Sequence, residues 1–167
     1  MTRWALFAAA ALAMLLPGCG LRPLYGGGGG SGVVQALGDV SIGPIAGRDG
    51  WLVRSALQDR LPGAASAQPR YRLDVTLEDK IEGFGVRADD AVTRERRTLR
   101  ARYQLVELDG GTVVLDATAG SDAGIDVVRS EYATIAAENS ALERLAGEVA
   151  DQIVARVALF ASRQAKP

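Results

Sequence analysis

The stretch LRARYQLVELDGGTVVLDATA at residues 99–119 decides the fold, because it contains two alternating runs joined by a turn. The apolar positions before the turn are Leu99, Ala101, Tyr103 and Leu105, and those after it are Val113, Leu115, Ala117 and Ala119. Alternation places the apolar residues of each run on one face of a strand. Since Asp109-Gly110-Gly111 between two such runs is typical of a hairpin, we predict two antiparallel strands with one buried face.

Two more strands are predicted upstream of this hairpin. One alternates apolar with charged or hydroxyl residues, its apolar members are Tyr71, Leu73, Val75 and Leu77, and Ile81 is a candidate extension. The other is short, contains Val40 and Ile42, extends at most to Ile45, and is ended or bent by Pro44.

Two helices are predicted from apolar residues at helical spacing. The first has Asp49 as its N-cap and ends near Leu61, before Pro62-Gly63. The second begins near Ser130, ends near Ser162 and has a candidate kink at Asn139-Ser140. Its apolar stripe consists of Leu142, Leu145, Val149, Ile153, Val157 and Phe160.

The resulting order β-α-β-β-β-α predicts an α+β fold. Since each strand has one apolar face and each helix one apolar stripe, the economical packing is a two-layer sandwich with both helices on one face of a four-stranded sheet. The chain has 167 residues, of which 48% are hydrophobic, and this length suits one domain with its own core. We assign that domain to residues 33–167.

The N-terminal segment has the pattern of an export signal. A basic start, Met1-Thr2-Arg3, precedes the apolar run from Trp4 to Leu16, which is shorter than a membrane-spanning helix. The following Leu16-Pro17-Gly18-Cys19 resembles the lipobox of bacterial lipoproteins, in which the cysteine becomes the acylated N-terminus. We therefore predict a signal peptide at residues 1–18 and a lipid anchor on Cys19. The alternative is a plain signal peptide with a free or buried cysteine.

A glycine-rich run separates the predicted anchor from the domain. Gly26–Gly30 is followed by Ser31 and Gly32, and such a sequence is typical of a flexible tether. A phosphate-binding loop would need a Lys-Ser/Thr pair after the glycines, which the sequence lacks. We assign residues 19–32 to the lipidated N-terminus and its tether.

The composition argues against an enzyme. The chain has no histidine and one cysteine, so it lacks an imidazole base and, once Cys19 is acylated, a thiolate. We expect no metal and no cofactor other than the lipid on Cys19. With 19 basic and 20 acidic residues, no net charge favours nucleic acid as a partner.

A run of arginines is the candidate binding site. Alternation would place Arg94, Arg96, Arg100 and Arg102 on the outward face of the strand that contains Leu99. Guanidinium groups suit phosphate and carboxylate oxygens, so the row could bind an anionic lipid head group or an acidic partner. The alternative is that the row is neutralised across strands by Asp74, Glu78 or Asp116.

Three segments together resemble the LptE family of lipopolysaccharide-assembly lipoproteins. They are the lipobox with Cys19-Gly-Leu-Arg-Pro-Leu-Tyr-Gly26, Tyr132–Ser140, and Leu145–Arg156. The resemblance implies an outer-membrane, periplasm-facing lipoprotein that plugs and helps to assemble the barrel subunit LptD of the lipopolysaccharide translocon, and that binds lipopolysaccharide. The alternative is a periplasmic lipid- or anion-binding lipoprotein without a barrel partner.

Replacement of the predicted acylation site tests the anchor. Cys19→Ser removes the single thiol to which a thioether-linked lipid can attach, so labelled fatty acid is expected to enter the wild-type chain and not the variant. Fatty-acid labelling in cells followed by gel electrophoresis measures this, and label on the variant would exclude the lipobox interpretation.

Overall fold

A computed structural model describes residues 37–61, 68–86 and 92–164. The strands are β1 (Val40–Ile42), β2 (Tyr71–Val86), β3 (Val92–Glu107) and β4 (Val113–Asp126), and the helices are α1 (Gly47–Arg60) and α2 (Glu131–Gln164). The predicted order β-α-β-β-β-α and the α+β class are confirmed. The predicted signal peptide, Cys19 and the tether lie outside the described residues.

The strands form one four-stranded sheet in the order β1-β2-β3-β4. β1 is parallel to β2, with α1 as the crossover between them, and the other neighbours are antiparallel. The predicted β3–β4 hairpin is present, and the positive φ angles of Gly110 and Gly111, 95° and 68°, explain the glycines at its turn. Ala101 pairs with Ala119, and an irregularity between Leu105 and Val106 shifts the register near the turn.

β2 and β4 are longer than the alternation predicts. β2 continues to Val86 and β4 to Asp126, because both remain hydrogen-bonded to β3. In β4 the alternation resumes after Ser121, since Ala123 and Ile125 are buried. Residues 78–85 of β2 are all exposed, so the helix layer leaves this end of the strand open. We call this end of the molecule, where β2 and β4 finish and α2 begins, the distal end.

α2 provides most of the helix layer. Its residues Leu145, Val149 and Ile153 are fully buried, and the helix packs on the inner faces of β3 and β4. α1 packs mainly against α2, with Val53 and Leu57 fully buried. The predicted apolar stripe is therefore confirmed. Its last member, Phe160, is only half-buried and lies edge-on to the ring of Tyr71.

The helix ends differ in part from the prediction. α1 begins three residues after Pro44 with Ala46 at its N-cap, which makes no side-chain capping hydrogen bond. Asp49 lies in the first turn instead, where its carboxylate still favours the positive end of the helix dipole. The start of α2 is as predicted, since the amide of Ala133 donates to the carbonyl of Ser130 over 3.1 Å. α2 continues without a break through Asn139-Ser140.

Truncation in the α2 stripe tests this packing. Leu145→Ala is expected to lower the free energy of unfolding by about 2–4 kcal/mol, because it leaves a cavity where the side chain is fully buried. Glu143→Ala, on the exposed side of the same helix, is expected to cost less than about 1 kcal/mol. Urea denaturation of both variants measures the difference, and equal losses would contradict the proposed orientation of α2.

Candidate functional site

The predicted arginine row lies on the outer face of the sheet, opposite the helices. Arg94, Arg96, Arg100 and Arg102 are all exposed, whereas Leu99 between them is fully buried. Alternation along β3 thus separates four cations from the core side of the same strand. Whether the row binds an anionic ligand depends on how far its charges are already neutralised.

Acidic residues of β4 neutralise three of these four arginines. Nε of Arg94 lies 3.1 Å from Oδ1 of Asp126, and Nη2 of Arg102 lies 2.9 Å from Oδ2 of Asp116. A longer contact of 3.8 Å joins Nε of Arg96 to Oδ2 of Asp122. All six side chains are exposed or nearly so, so each pair contributes at most about 1 kcal/mol.

The cross-strand partners are only partly those expected. Asp116 pairs with the row as the sequence suggests, but Asp74 binds Arg72 on its own strand with a contact of 2.8 Å. Glu78 likewise pairs with Lys80 over 2.6 Å. β4 therefore supplies the neutralising carboxylates. In its register with β3, Asp126 lies directly opposite Arg94, and the other two lie diagonally across from their arginines.

Arg100 differs from the other three arginines. Its cross-strand neighbour on β4 is Gly120, which has no side chain, and among the described residues no carboxylate forms an ion pair with it. On β2 it lies opposite Glu78, whose pKa is lowered first by the hydrogen bond from Lys80 and to a lesser degree by the charge of Arg100. Arg100 is consequently the cation of the row that remains available for an anion.

A shallow groove of about 610 Å³ surrounds Arg100 on the outer face. Its polar lining consists, besides Arg100, of Thr76, Glu78, Thr98, Arg102, Thr118, Ser121, Asp122 and Gln152, and its apolar lining of Leu77, Ala101 and Ala119. A guanidinium beside several hydroxyl groups can hold an anionic oxygen while hydrogen-bonding a hydroxyl-rich ligand. The groove therefore suits a phosphate attached to a polar body better than an apolar ligand.

Exposed apolar side chains occupy the distal end. Phe84 on β2 is 41% exposed, and the guanidinium of Arg96 lies 5.5 Å from the centre of its ring. Tyr132 and Ile135, on the first turns of α2, are 85% and 47% exposed. Apolar groups and the arginines of β3 therefore both reach solvent at this end of the molecule.

Gln152 closes the free edge of β4, a role that the sequence does not reveal. Its Oε1 accepts from the amide of Gly120 and its Nε2 donates to the carbonyl of the same residue, both over 3.1 Å. Ser121 next to it donates to Glu148 of α2. The two hydrogen bonds of Gln152 satisfy the amide and carbonyl of Gly120, which an edge strand would otherwise expose to pairing with another chain.

Arg97 is the second residue whose role the sequence does not reveal. It lies on the inner face and is 9% exposed; its Nε donates to Oδ1 of Asp79 over 2.9 Å, and its Nη1 donates to the carbonyl of Glu138 over 2.8 Å. The hydrogen bond to Asp79 raises the pKa of Arg97. Alternation along β3 places Arg97 on the same inner face as Leu99. It does not identify the partners of Arg97 on β2 and α2.

Two further properties concern the described residues alone. Within residues 37–61, 68–86 and 92–164, no cluster of three or more acidic, histidine or cysteine side chains could hold a metal ion. Neither described helix has a stretch that is apolar and long enough to span a bilayer.

Comparison with known proteins identifies one family. Residues 37–157 match the family model LptE, described as lipopolysaccharide-assembly. The match covers all four strands, α1 and most of α2. No curated protein sequence matches the chain.

Solved structures share the fold. A lipoprotein from Caulobacter crescentus has a TM-score of 0.65 at 24% identity, over 79% of this chain and 97% of that chain. A minor lipoprotein from Acinetobacter baumannii has a TM-score of 0.57 at 14% identity, over 72% and 91% of the respective chains. Rare lipoprotein B from Shewanella oneidensis has a TM-score of 0.56 at 12% identity, over 75% and 97%. At these identities the likeness establishes the fold.

Proposed function

Since the chain belongs to the LptE family of lipopolysaccharide-assembly proteins, we propose that it is an outer-membrane lipoprotein that plugs and helps to assemble the barrel subunit LptD. It faces the periplasm, is anchored through a lipid on Cys19 and acts without catalysis or a cofactor. The observation that carries this proposal is the family match, which covers residues 37–157.

Direct binding of lipopolysaccharide is the second part of the proposal. Arg100 offers a guanidinium that forms no direct ion pair among the described residues, within a groove that is rich in hydroxyl groups. Phosphate groups and sugar hydroxyls are the chemistry that such a groove suits. Exposed apolar residues at the distal end, among them Phe84, extend this surface toward the acyl part of an amphiphile.

A carrier lipoprotein without a barrel partner remains the alternative, and the cavities disfavour it. A carrier would enclose acyl chains in a deep apolar pocket. The apolar cavity beside Tyr71 and Phe160, within the described part of the chain, is about 190 Å³, which is small for several acyl chains. The larger groove around Arg100 is open to solvent and has charged and hydroxyl groups in its lining, so it does not enclose an apolar chain.

Depletion of the protein tests its role in assembly. Cells that lose the chain are expected to accumulate unfolded LptD, because the proposed plug would no longer support closure of the barrel. The shift of LptD on gels with and without heating measures its folded fraction, and re-expression of the wild-type chain is the control. A folded fraction that is unchanged after depletion would contradict the assembly role.

Charge reversal at Arg100 tests lipopolysaccharide binding. Arg100→Glu is expected to weaken binding in a salt-sensitive manner, since repulsion replaces attraction at the phosphates. Its melting temperature should change little, because the side chain is exposed. Lipopolysaccharide affinity and melting temperature are measured on the same samples at low and high salt.

Arg72→Glu is the matched control for this experiment. Arg72 is an exposed arginine on the same outer face, but it lies on β2 opposite Val106, well away from the groove around Arg100. The control is expected to keep wild-type affinity. Equal affinities of wild type and Arg100→Glu, or equal losses in both variants, would contradict a binding site centred on Arg100.

A further inference from the structure

The edge of β2 that faces away from β3 is open over most of its length. β1 pairs with β2 only from Tyr71 to Leu73, and the amide of Gly43 donates to the carbonyl of Leu73 over 2.9 Å. The chain then leaves the sheet and begins α1 at Gly47. Since β2 itself continues to Val86, the rest of this edge has no neighbouring strand within the described part of the chain. We call it the free edge of β2.

The hydrogen bonds to the β1 segment show which backbone groups point toward the free edge. The amide of Tyr71 and the carbonyl of Leu73 both bond to that segment. Because hydrogen-bonding direction alternates along a strand, odd-numbered residues of β2 point toward the free edge and even-numbered residues bond to β3. The amides and carbonyls of Asp79, Ile81 and Gly83 therefore point away from β3, and no described residue hydrogen-bonds them.

This part of β2 is accessible as well as unpaired. Residues 78–85 are all exposed, and the side chain of Ile81 is 43% exposed. The opposite edge of the sheet is different, since Gln152 covers the backbone of Gly120 there. Unpaired amides and carbonyls on an exposed strand are a template for a strand from another chain.

The charges along the free edge alternate in sign. Glu78, Lys80 and Glu82 follow one another on the outer face of the sheet, and the Nζ of Lys80 lies 2.6 Å from Oε1 of Glu78. Glu82 takes part in none of the ion pairs among residues 37–61, 68–86 and 92–164. A run of one sign would repel a copy of itself, whereas alternating signs are self-complementary in an antiparallel pair whose register offsets like charges.

We propose that the free edge of β2 pairs antiparallel with the same edge of a second copy of the chain, with Ile81 of each copy at the two-fold axis. In this register Lys80 of each copy lies opposite Glu82 of the other, so opposite charges meet on both sides of the axis. Asp79 lies opposite Gly83, and the two exposed Ile81 side chains meet each other. The outward backbone groups bond to the second copy, while the hydrogen bonds to β3 stay intact.

The neighbouring registers are less favourable. An axis at Lys80 places the two Lys80 side chains opposite each other and Glu78 opposite Glu82. An axis at Glu82 or at Asp79 places two identical carboxylates face to face. Like charges directly opposite one another destabilise a strand pair. Of these four registers, the axis at Ile81 alone matches opposite charges without such a contact.

Charge exchange tests both the dimer and its register. Sedimentation equilibrium of the full chain in a density-matched mild detergent measures the protein mass, which in the wild type is expected to rise from one chain to two with concentration. Lys80→Glu and Glu82→Lys each replace attraction by repulsion on both sides of the axis, so each should raise the dissociation constant by about tenfold or more. An equimolar mixture of the two variants should dimerise again, because opposite charges meet in the mixed dimer.

A proline on the free edge tests the backbone pairing separately. Ile81→Pro removes an amide that points away from β3, so it should weaken the dimer while the melting temperature changes little. An unchanged dissociation constant in this variant would contradict pairing through the backbone of β2.

Two variants with matched charge changes are the controls. Arg72→Glu lies on the part of β2 that β1 already covers, and Glu143→Lys lies on the exposed side of α2. Both should retain the wild-type dissociation constant. Weakening by the controls equal to that of Lys80→Glu, or a mixture of Lys80→Glu and Glu82→Lys that stays monomeric, would overturn the proposal. A wild-type mass of one chain at every concentration would also overturn it and would leave the free edge to a strand of a different protein.

Discussion

The packing of α2 on the inner face of β3 and β4 is the interaction on which the rest of the structure depends. α2 has 34 residues, which corresponds to about 50 Å of helix, and it therefore runs along most of the sheet. Fully buried Leu145, Val149 and Ile153 meet the strand face that contains Leu99. α1 packs mainly on α2, so its position also follows from this contact.

Because both helices pack on one side, the two faces of the sheet have different environments. The inner face supplies the core, whereas the outer face is covered by exposed arginines and acids whose ion pairs contribute little to stability. Charge on the outer face can consequently vary with little effect on the fold. The same separation places the groove around Arg100 and the inward-facing, hydrogen-bonded Arg97 on one strand, because successive side chains point to opposite faces.

The periodic elements were predictable from the sequence and their interactions were not. The hairpin at Asp109-Gly110-Gly111 and the α2 stripe follow from spacing alone, and both are confirmed. Asp49 was wrongly predicted as the N-cap of α1, because the helix begins at Gly47, before the first residue of its apolar pattern. The end of β2 was missed because its hydrogen bonding to β3 continues through exposed residues, and the end of β4 because Ser121 interrupts an alternation that Ala123 and Ile125 resume.

The candidate site was also predictable in its placement and not in its interactions. Alternation correctly placed the four arginines on one exposed face, but only the strand register reveals that Asp122 lies opposite Thr98, between Arg96 and Arg100, and only the side-chain positions show that it pairs with Arg96. The hydrogen-bond partners of Arg97 come from elements far away in the sequence. Periodicity predicts the face on which a side chain lies and contains no information about such partners.

The central claim is that the chain is the lipoprotein partner of a lipopolysaccharide-exporting barrel. Affinity purification of the tagged, lipidated protein from envelopes in mild detergent, followed by mass spectrometry and measurement of the mass of the native complex, tests this claim most directly. The expected result is a stable complex in which LptD is present in stoichiometric amount. Recovery of the protein as a lone monomer, under conditions in which LptD is extracted intact, would contradict the claim.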